Sequence, residues 1–337
     1  MVVRTTLRGT PYTRLLTLSI FANVVFSIWF LFGSRCETNS VAKTQSTSSN
    51  SPFFSFASPK NPPKPKWSPS LFKTCCPQNQ SVEMNAEYPS FSFCLHPRGK
   101  DYAVSDSVYK ASGSSEGLFE TPIRKQMLQV LERHGDHNAV VLDIGANIGL
   151  HAMFLANAGY KVHVFEPLKK NYDLLACSAT SSARLYNNVV VNPYGLGKEV
   201  GKSCIVTDHD NFGAAKIKNG QTCTPEYTVE VRRLDEYLTK SKIQPTLIKI
   251  DTEGYEFKAL ITAKEIFKKN PPPHIFTEFV PRHFKDPAVN EDPEDYLQFF
   301  YDLGYKIQWR DVKEVKKGDA NYKDLLNTDM NDLYMYR

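Results

Sequence analysis

The chain has 337 residues, enough for one or two domains with a buried core. Its 41% apolar and 23% charged composition excludes collagen-like sequence and wholesale disorder. The net charge of +5 is unevenly placed: residues 1–75 carry nine Lys/Arg and one acid, Glu37, so the remainder is slightly acidic. That argues against a broad phosphate-tracking surface, and no nucleic-acid partner is expected.

Residues 15–33 read LLTLSIFANVVFSIWFLFG, without a charge. A helix of that length just covers a hydrocarbon core of roughly 30 Å. Arg4, Arg8 and Arg14 precede it, which predicts a cytosolic tail at 1–14 and a lumenal remainder, a single-pass type II membrane protein of the Golgi or endoplasmic reticulum. Bulky Trp29, Phe30, Leu31 and Phe32 crowd the end of the run, so an uncleaved signal anchor is expected rather than a cleaved signal peptide. Residues 34–74 hold 20 Ser, Thr or Pro and read as a disordered stem. Asn79-Gln80-Ser81 is an N-glycosylation sequon, in keeping with lumenal exposure.

Seven Cys (Cys36, Cys75, Cys76, Cys94, Cys177, Cys204, Cys223) include no CxxC pair, which argues against a zinc ribbon or thioredoxin-type motif. In an oxidising lumen Cys75, Cys76 and Cys94 can bridge to each other or to Cys204 and Cys223; in a reducing compartment all stay free thiols.

From residue 91 the chain is patterned. Residues 91–97 and 102–108 read as short strands around the turn Arg98-Gly99-Lys100, and 121–134 as a helix with Ile123, Met127, Val130 and Leu131 on one face. Strands are then predicted at 139–144, 161–165, 188–191, 246–250, 274–279, 306–309 and 333–336. Helices are predicted at 150–158, 168–179, 255–268 and 293–303, with a less regular β-rich stretch over 204–231. Such alternation implies an α/β fold with a doubly wound, mainly parallel sheet. Acids end four of the strands, Asp143, Glu166, Asp251 and Glu278, and so converge on one crevice beyond the carboxyl ends.

The strongest chemical signal is Val140-Val141-Leu142-Asp143-Ile144-Gly145-Ala146-Asn147-Ile148-Gly149, a buried strand entering a Gly-rich turn that opens a helix. The next strand ends Phe165-Glu166-Pro167, placing an acid where two ribose hydroxyls can be held. A dinucleotide fingerprint would read G-x-G-x-x-G and carry a pyrophosphate, which Asp143 would repel. An ammonium and a sulfonium suit that acid instead, which points to S-adenosyl-L-methionine. Neither a Gly-x-Ser-x-Gly nor a P-loop pattern occurs. Asp208-His209-Asp210 reads as a solvated polar loop, and His134, His137, His163, His274 and His283 show no ligand spacing, so no metal is expected. His283, shortly after the strand at 274–279, is placed to reach the site, which the sequence does not settle.

These motifs, with Arg233-Leu-Asp-Glu-Tyr-Leu238, Leu247-Ile-Lys-Ile-Asp-Thr-Glu-Gly-Tyr-Glu256, Ile275-Phe-Thr-Glu278 and Gly117-Leu-Phe-Glu120, resemble the FkbM-type methyltransferase family over about residues 90–312. The Lys-Ile-Asp-x-Glu-Gly-x-Glu run makes the resemblance specific. It implies a Rossmann-like fold with an antiparallel final strand, preceded here by the transmembrane helix and the stem. An N-terminal extension at 75–133 and a class I methyltransferase domain at 134–337 follow. It also implies O-methyl transfer to a hydroxyl acceptor, with a sugar or glycan of the secretory pathway favoured by the anchor. Asp143, Gly145, Ala146, Asn147 and Gly149 are then expected at the methionine end of the cofactor and Glu166 at its ribose, with adenine near 192–197. Asp251 is the expected base, Glu253 the second choice, and Lys249 the group that moderates their charge. Glu278 and Glu120 are lesser candidates for the acceptor pocket. A non-catalytic trafficking or binding protein on the same fold is the alternative; the oligomeric state is left open.

Overall fold

The computed structural model describes residues 66–337 except 86–87, 115, 117, 209–210 and 219–221. The expected anchor at 15–33, Cys36 and most of the expected stem lie outside the described residues. Among the described residues no helix is long and apolar enough to cross a membrane.

The elements run α1 (Ser70–Cys75), β1 (Ser81–Met84), β2 (Phe91–Cys94), α2 (Ser105–Ala111), α3 (Thr121–His134), β3 (Val140–Ile144), α4 (Leu150–Ala158), β4 (Lys161–Phe165), α5 (Lys169–Ser178), α6 (Ala183–Asn188), β5 (Val189–Asn192), β6 (Gly195–Leu196), β7 (Gly201–Asp208), β8 (Asn211–Lys218), β9 (Thr228–Arg232), α7 (Leu234–Ser241) and β10 (Leu247–Ile250). They continue with α8 (Glu256–Leu260), α9 (Lys264–Lys269), β11 (His274–Phe279), α10 (Pro281–Phe284), α11 (Pro293–Asp302), β12 (Lys306–Trp309), β13 (Val312–Val315), α12 (Ala320–Leu326) and β14 (Asn331–Tyr336).

The main sheet has the order β13-β12-β14-β11-β10-β3-β4-β5. Strands β5, β4, β3, β10 and β11 are parallel, and the last strand, β14, is antiparallel to β11. The fold is thus the expected α/β, Rossmann-like, mixed sheet. Strand order reverses between β3 and β10, so a crevice opens above their carboxyl ends. Val141 joins one hydrophobic layer with Met127, Met153, Leu155 and Leu175, while its neighbour Leu142 joins the other with Leu260, Phe267, Tyr296 and Phe300. Strand alternation places them so, and each such side chain contributes about 1.5–3 kcal/mol by burial. A second sheet, β6-β9-β7-β8, accounts for the β-rich stretch after residue 200 and has its own small core around Ile205, Ile217 and Val231.

Three local expectations change. Residues 102–108 were expected as a strand, but α2 begins at Ser105 because the Asp101 carboxylate accepts hydrogen bonds from Val104 N, Ser105 N and Ser105 Oγ at 3.2, 2.8 and 2.7 Å. Such capping outweighs the apolar alternation. The single helix expected over 255–268 is two, α8 and α9, joined by a 3-10 turn at Ile261–Ala263. Helices α1, α6, α7, α10 and α12 and strands β1 and β13 were not foreseen. The end of the expected stem, moreover, packs on the domain: Trp67 Nε1 donates to Thr180 O at 2.9 Å and α1 follows.

Six of the cysteines are paired, Cys75–Cys177, Cys76–Cys94 and Cys204–Cys223. Cys177 was not among the partners foreseen; its place in α5, against α1, brings it to Cys75.

Candidate active site

Beyond the ends of β3, β4 and β10 lies an open cleft enclosing about 1330 Å³ of non-atom space, solvent included. Its floor is the turn Gly145-Ala146-Asn147 with Glu166, Lys249 and Asp251; Ile205 and Ile217 of the second sheet form one wall, and Phe119, Glu120 and His151 another.

The turn after β3 is shaped by close approach. Gly145 has φ +76°, and a Cβ there would stand 1.8 Å from Asp251 O, so no side chain fits. Asn147 also adopts a left-handed φ, +51°, and leaves its Oδ1 buried without a hydrogen bond, an acceptor free for a ligand donor. Its N–H donates to Glu166 Oε2 at 2.9 Å. Glu166 Oε1 accepts from Leu168 N at 2.9 Å and from Asn171 Nδ2 at 3.5 Å. Burial pushes the Glu166 carboxyl up to about 7, against the pull of the Leu168 and Asn147 amides.

Beneath this turn, Asp143 on β3 and Lys249 on β10 are register partners. Lys249 Nζ lies 3.7 Å from Asp143 Oδ1 and 3.3 Å from Asp251 Oδ2, and donates to Gly145 O at 3.3 Å. Burial works to lower the Lys249 pKa, yet Asp251, Asp143 and Glu120 outweigh it and hold the ammonium well above its ordinary value. Asp143, 1% exposed and without a hydrogen bond on either oxygen, is pushed up by burial.

The sequence-derived residues therefore divide. Gly145, Ala146, Asn147, Glu166, Lys249, Asp251 and Glu253 line one cleft. Asp143 and Gly149 lie under that lining: the alternation of β3 turns Asp143 toward Lys249, and Gly149 (φ +88°) caps α4 against Leu175. Gly195 and Leu196, from the stretch expected at the adenine, face the cleft beside Ile205 and Ile217, an apolar wall suited to a base. The unpaired Asn147 Oδ1, the Glu166 carboxyl, this wall and a Lys-moderated acidic floor without a phosphate cradle fit S-adenosylmethionine.

On the acceptor side, Asp251 and Glu253 are partly exposed, 26% and 21% by side chain. Glu278 reaches the same cleft from β11, its carboxyl pushed to about 10 by burial and by Asp251 and Glu253. Glu120, also left-handed (φ +53°), accepts from Arg124 N at 3.1 Å with its backbone carbonyl, while its side chain makes no cap bond and pairs instead with His151 Nε2 at 2.7 Å. Three contributors escaped the sequence reading. His151 had a signal, its place in the first turn after the Gly-rich loop. Lys216, from β8, 3.4 Å from Glu253 Oε2, and the rim residue Met330, 59% exposed, had none.

Residues 143–307 match the family described as the methyltransferase FkbM domain. The chain is 25% identical over 137 residues to the hexuronic acid methyltransferase AglP of Haloferax volcanii, a match spanning 40% of this chain and 54%, about half, of that relative. Among solved structures it is similar to a methyltransferase FkbM from Methylobacillus flagellatus KT, with 19% identity, TM-score 0.38 and coverage of 59% of this chain and 44% of that one. A SAM-dependent methyltransferase from Agrobacterium tumefaciens gives 8% identity, TM-score 0.40 and coverage of 77% and 70%. The Gly-rich turn, Glu166 and the Lys249–Asp251 pair all lie inside the stretch that matches the methyltransferase FkbM domain, and the cleft they build fits S-adenosylmethionine.

Proposed function

We propose that the protein is a membrane-anchored O-methyltransferase acting in the lumen of the secretory pathway on a sugar hydroxyl, an acidic sugar being the first candidate. The observation that carries the reaction type is the set of carboxylates, Asp251, Glu253 and Glu278, at the ends of β10 and β11 beside the cofactor turn. Methyl transfer is a displacement that needs alignment and removal of a hydroxyl proton, and a positioned base contributes about 10²–10⁴-fold. Asp251, moderated by Lys249, takes that proton as the oxygen–carbon bond forms and the sulfur–carbon bond breaks. The relative from Haloferax volcanii, a hexuronic acid methyltransferase, supports a sugar acceptor. Three disulfides support an oxidising compartment, and Asn79 of the sequon stands exposed in a turn. The charge-free run at 15–33 supports the anchor.

The test is transfer of an isotopically labelled methyl group from S-adenosylmethionine to a panel of uronosides and neutral glycosides, read by mass spectrometry. Label on a sugar oxygen that disappears in Asp251→Asn is the expected result. A protein that binds the cofactor but labels none of the panel removes the sugar assignment.

A further inference from the structure

We propose that Glu253, Glu278 and His283 bind a divalent metal ion on the acceptor side of the cleft. The three come from different places: Glu253 from the loop after β10, Glu278 from β11, His283 from α10. Their ligand atoms all lie within 4.8 Å of one another. Two donors at about 2.1 Å from one ion stand at most about 4.2 Å apart, so small side-chain rotations close the set.

Two further observations point to a cation. His283 accepts from Lys216 Nζ with Nε2, so its buried Nδ1 carries the ring proton, 3.4 Å from Glu253 Oε2, and the Nε2 lone pair is the one turned to a cation. A cationic group already stands at the cluster: Lys216 Nζ is 3.4 Å from Glu253 Oε2 and 3.0 Å from His283 Nε2. The ammonium occupies the place of the ion and, on a flexible stem that is 31% exposed, can withdraw from it. The backbone brings the ligands together at a conformational cost, with Glu253 at φ +57° and Gly254 at φ +106°; a Cβ on Gly254 would press on His283 O at 2.9 Å.

Two carboxylates and one imidazole suit manganese or magnesium better than a soft metal, and three protein ligands leave positions open. One part of the inference rests on the methyl-transfer reading: in an open position the ion would take the acceptor hydroxyl and lower its pKa. The proton then passes to Asp251 and the oxygen accepts the methyl group. The binding itself does not depend on that reading.

Manganese titrated into the full chain, without cofactor or acceptor, is followed by electron paramagnetic resonance. One ion per chain with sub-millimolar affinity is expected. His283→Ala and Glu278→Gln each weaken it by at least about tenfold, and Lys216→Met tightens it. Melting curves identify any variant that fails to fold, and Lys216→Met, on the cleft rim, remains informative in that case. Absence of binding at millimolar manganese, affinity unchanged in both ligand variants, or weaker binding in Lys216→Met overturns the assignment. Calorimetry of S-adenosylmethionine on the same preparation separates the two readings: cofactor bound without manganese removes the metal alone, and manganese bound without cofactor removes the methyltransferase reading alone.

Discussion

The backbone N–H of Asn147 and the carboxylate of Glu166 join the loops after β3 and β4 through a 2.9 Å hydrogen bond. The acid expected only to hold a ribose therefore also holds the turn that approaches the cofactor. Glu166→Ala should lose two backbone-amide hydrogen bonds, the longer one from Asn171 Nδ2 and the ribose contact together. A charged hydrogen bond is worth about 1.5–3 kcal/mol, so cofactor affinity should fall about ten- to a hundredfold, with a lower melting temperature. Calorimetry and a thermal melt on the same variant test this; weakened binding at an unchanged melting temperature would leave the ribose role alone.

Gly145→Ala should abolish cofactor binding. Its Cβ would stand 1.8 Å from the Asp251 carbonyl, so β3 and β10 must part or the turn must reorganise. Gly201→Ala, with nothing within 4 Å of the new methyl and no left-handed φ, is the matched control and should bind normally. Equal affinity in the two variants would show that the turn is not the cofactor's seat.

Lys249 and Asp251 should fail in different ways. Lys249→Met leaves Asp143 buried without its cation, and breaking a buried pair costs about 3–5 kcal/mol. Asp143 already tends to keep its proton, so the deficit should shrink as pH falls and the carboxyl becomes neutral. Asp251→Asn, at a partly exposed position, should keep stability and cofactor affinity and lose most turnover. An unstable but active Asp251→Asn protein would make the pair structural and end its assignment as base.

His274, at the start of β11, shares a 2.8 Å hydrogen bond between its Nδ1 and Tyr334 Oη. Burial, with His134 and Arg133 nearby, lowers its pKa from 6.5 to about 4. Between those values the unfolded chain binds a proton that the folded protein refuses, so stability falls as pH drops. The melting-temperature advantage of the wild type over His274→Phe should narrow from neutral pH toward pH 4. Parallel curves for the two proteins would contradict this.

Much of the frame was legible because β3, β4, β10 and β11 are short apolar runs buried on both faces, each closed by an acid or a Gly-rich turn. Strand-end residues such as Glu166, Lys249 and Asp251 inherit their position from those runs, and local spacing sufficed. Asp143 shows the limit: its motif marks the turn, yet the alternation of β3 aims it beneath the cleft. Residues 102–108 misled because the helix signal was one aspartate, Asp101, placed before them. Lys216 was illegible as a partner of Glu253, since a hairpin in the second sheet brings it there, whereas His283, shortly after β11, was within reach of the site without a spacing that tied it to Glu253. No spacing rule relates such residues.

Cys75 and Cys76 are adjacent in the chain, yet one is bonded to α5 and the other to β2. A pull arriving through the residues before 66 meets these two covalent joints at successive positions and is delivered to the flank of the domain, where α5 and β2 pack together. Helix α5 is also the element that follows the loop of β4, and its Asn171 donates to Glu166 Oε1 at the cleft. A pull on the N-terminal side is therefore carried covalently into the helix that holds one side of the Asn147–Glu166 contact, and the cleft is coupled to it through Asn171. Reduction of the two bonds would shift the load onto α1 and the Trp67 hydrogen bond, a far weaker mooring.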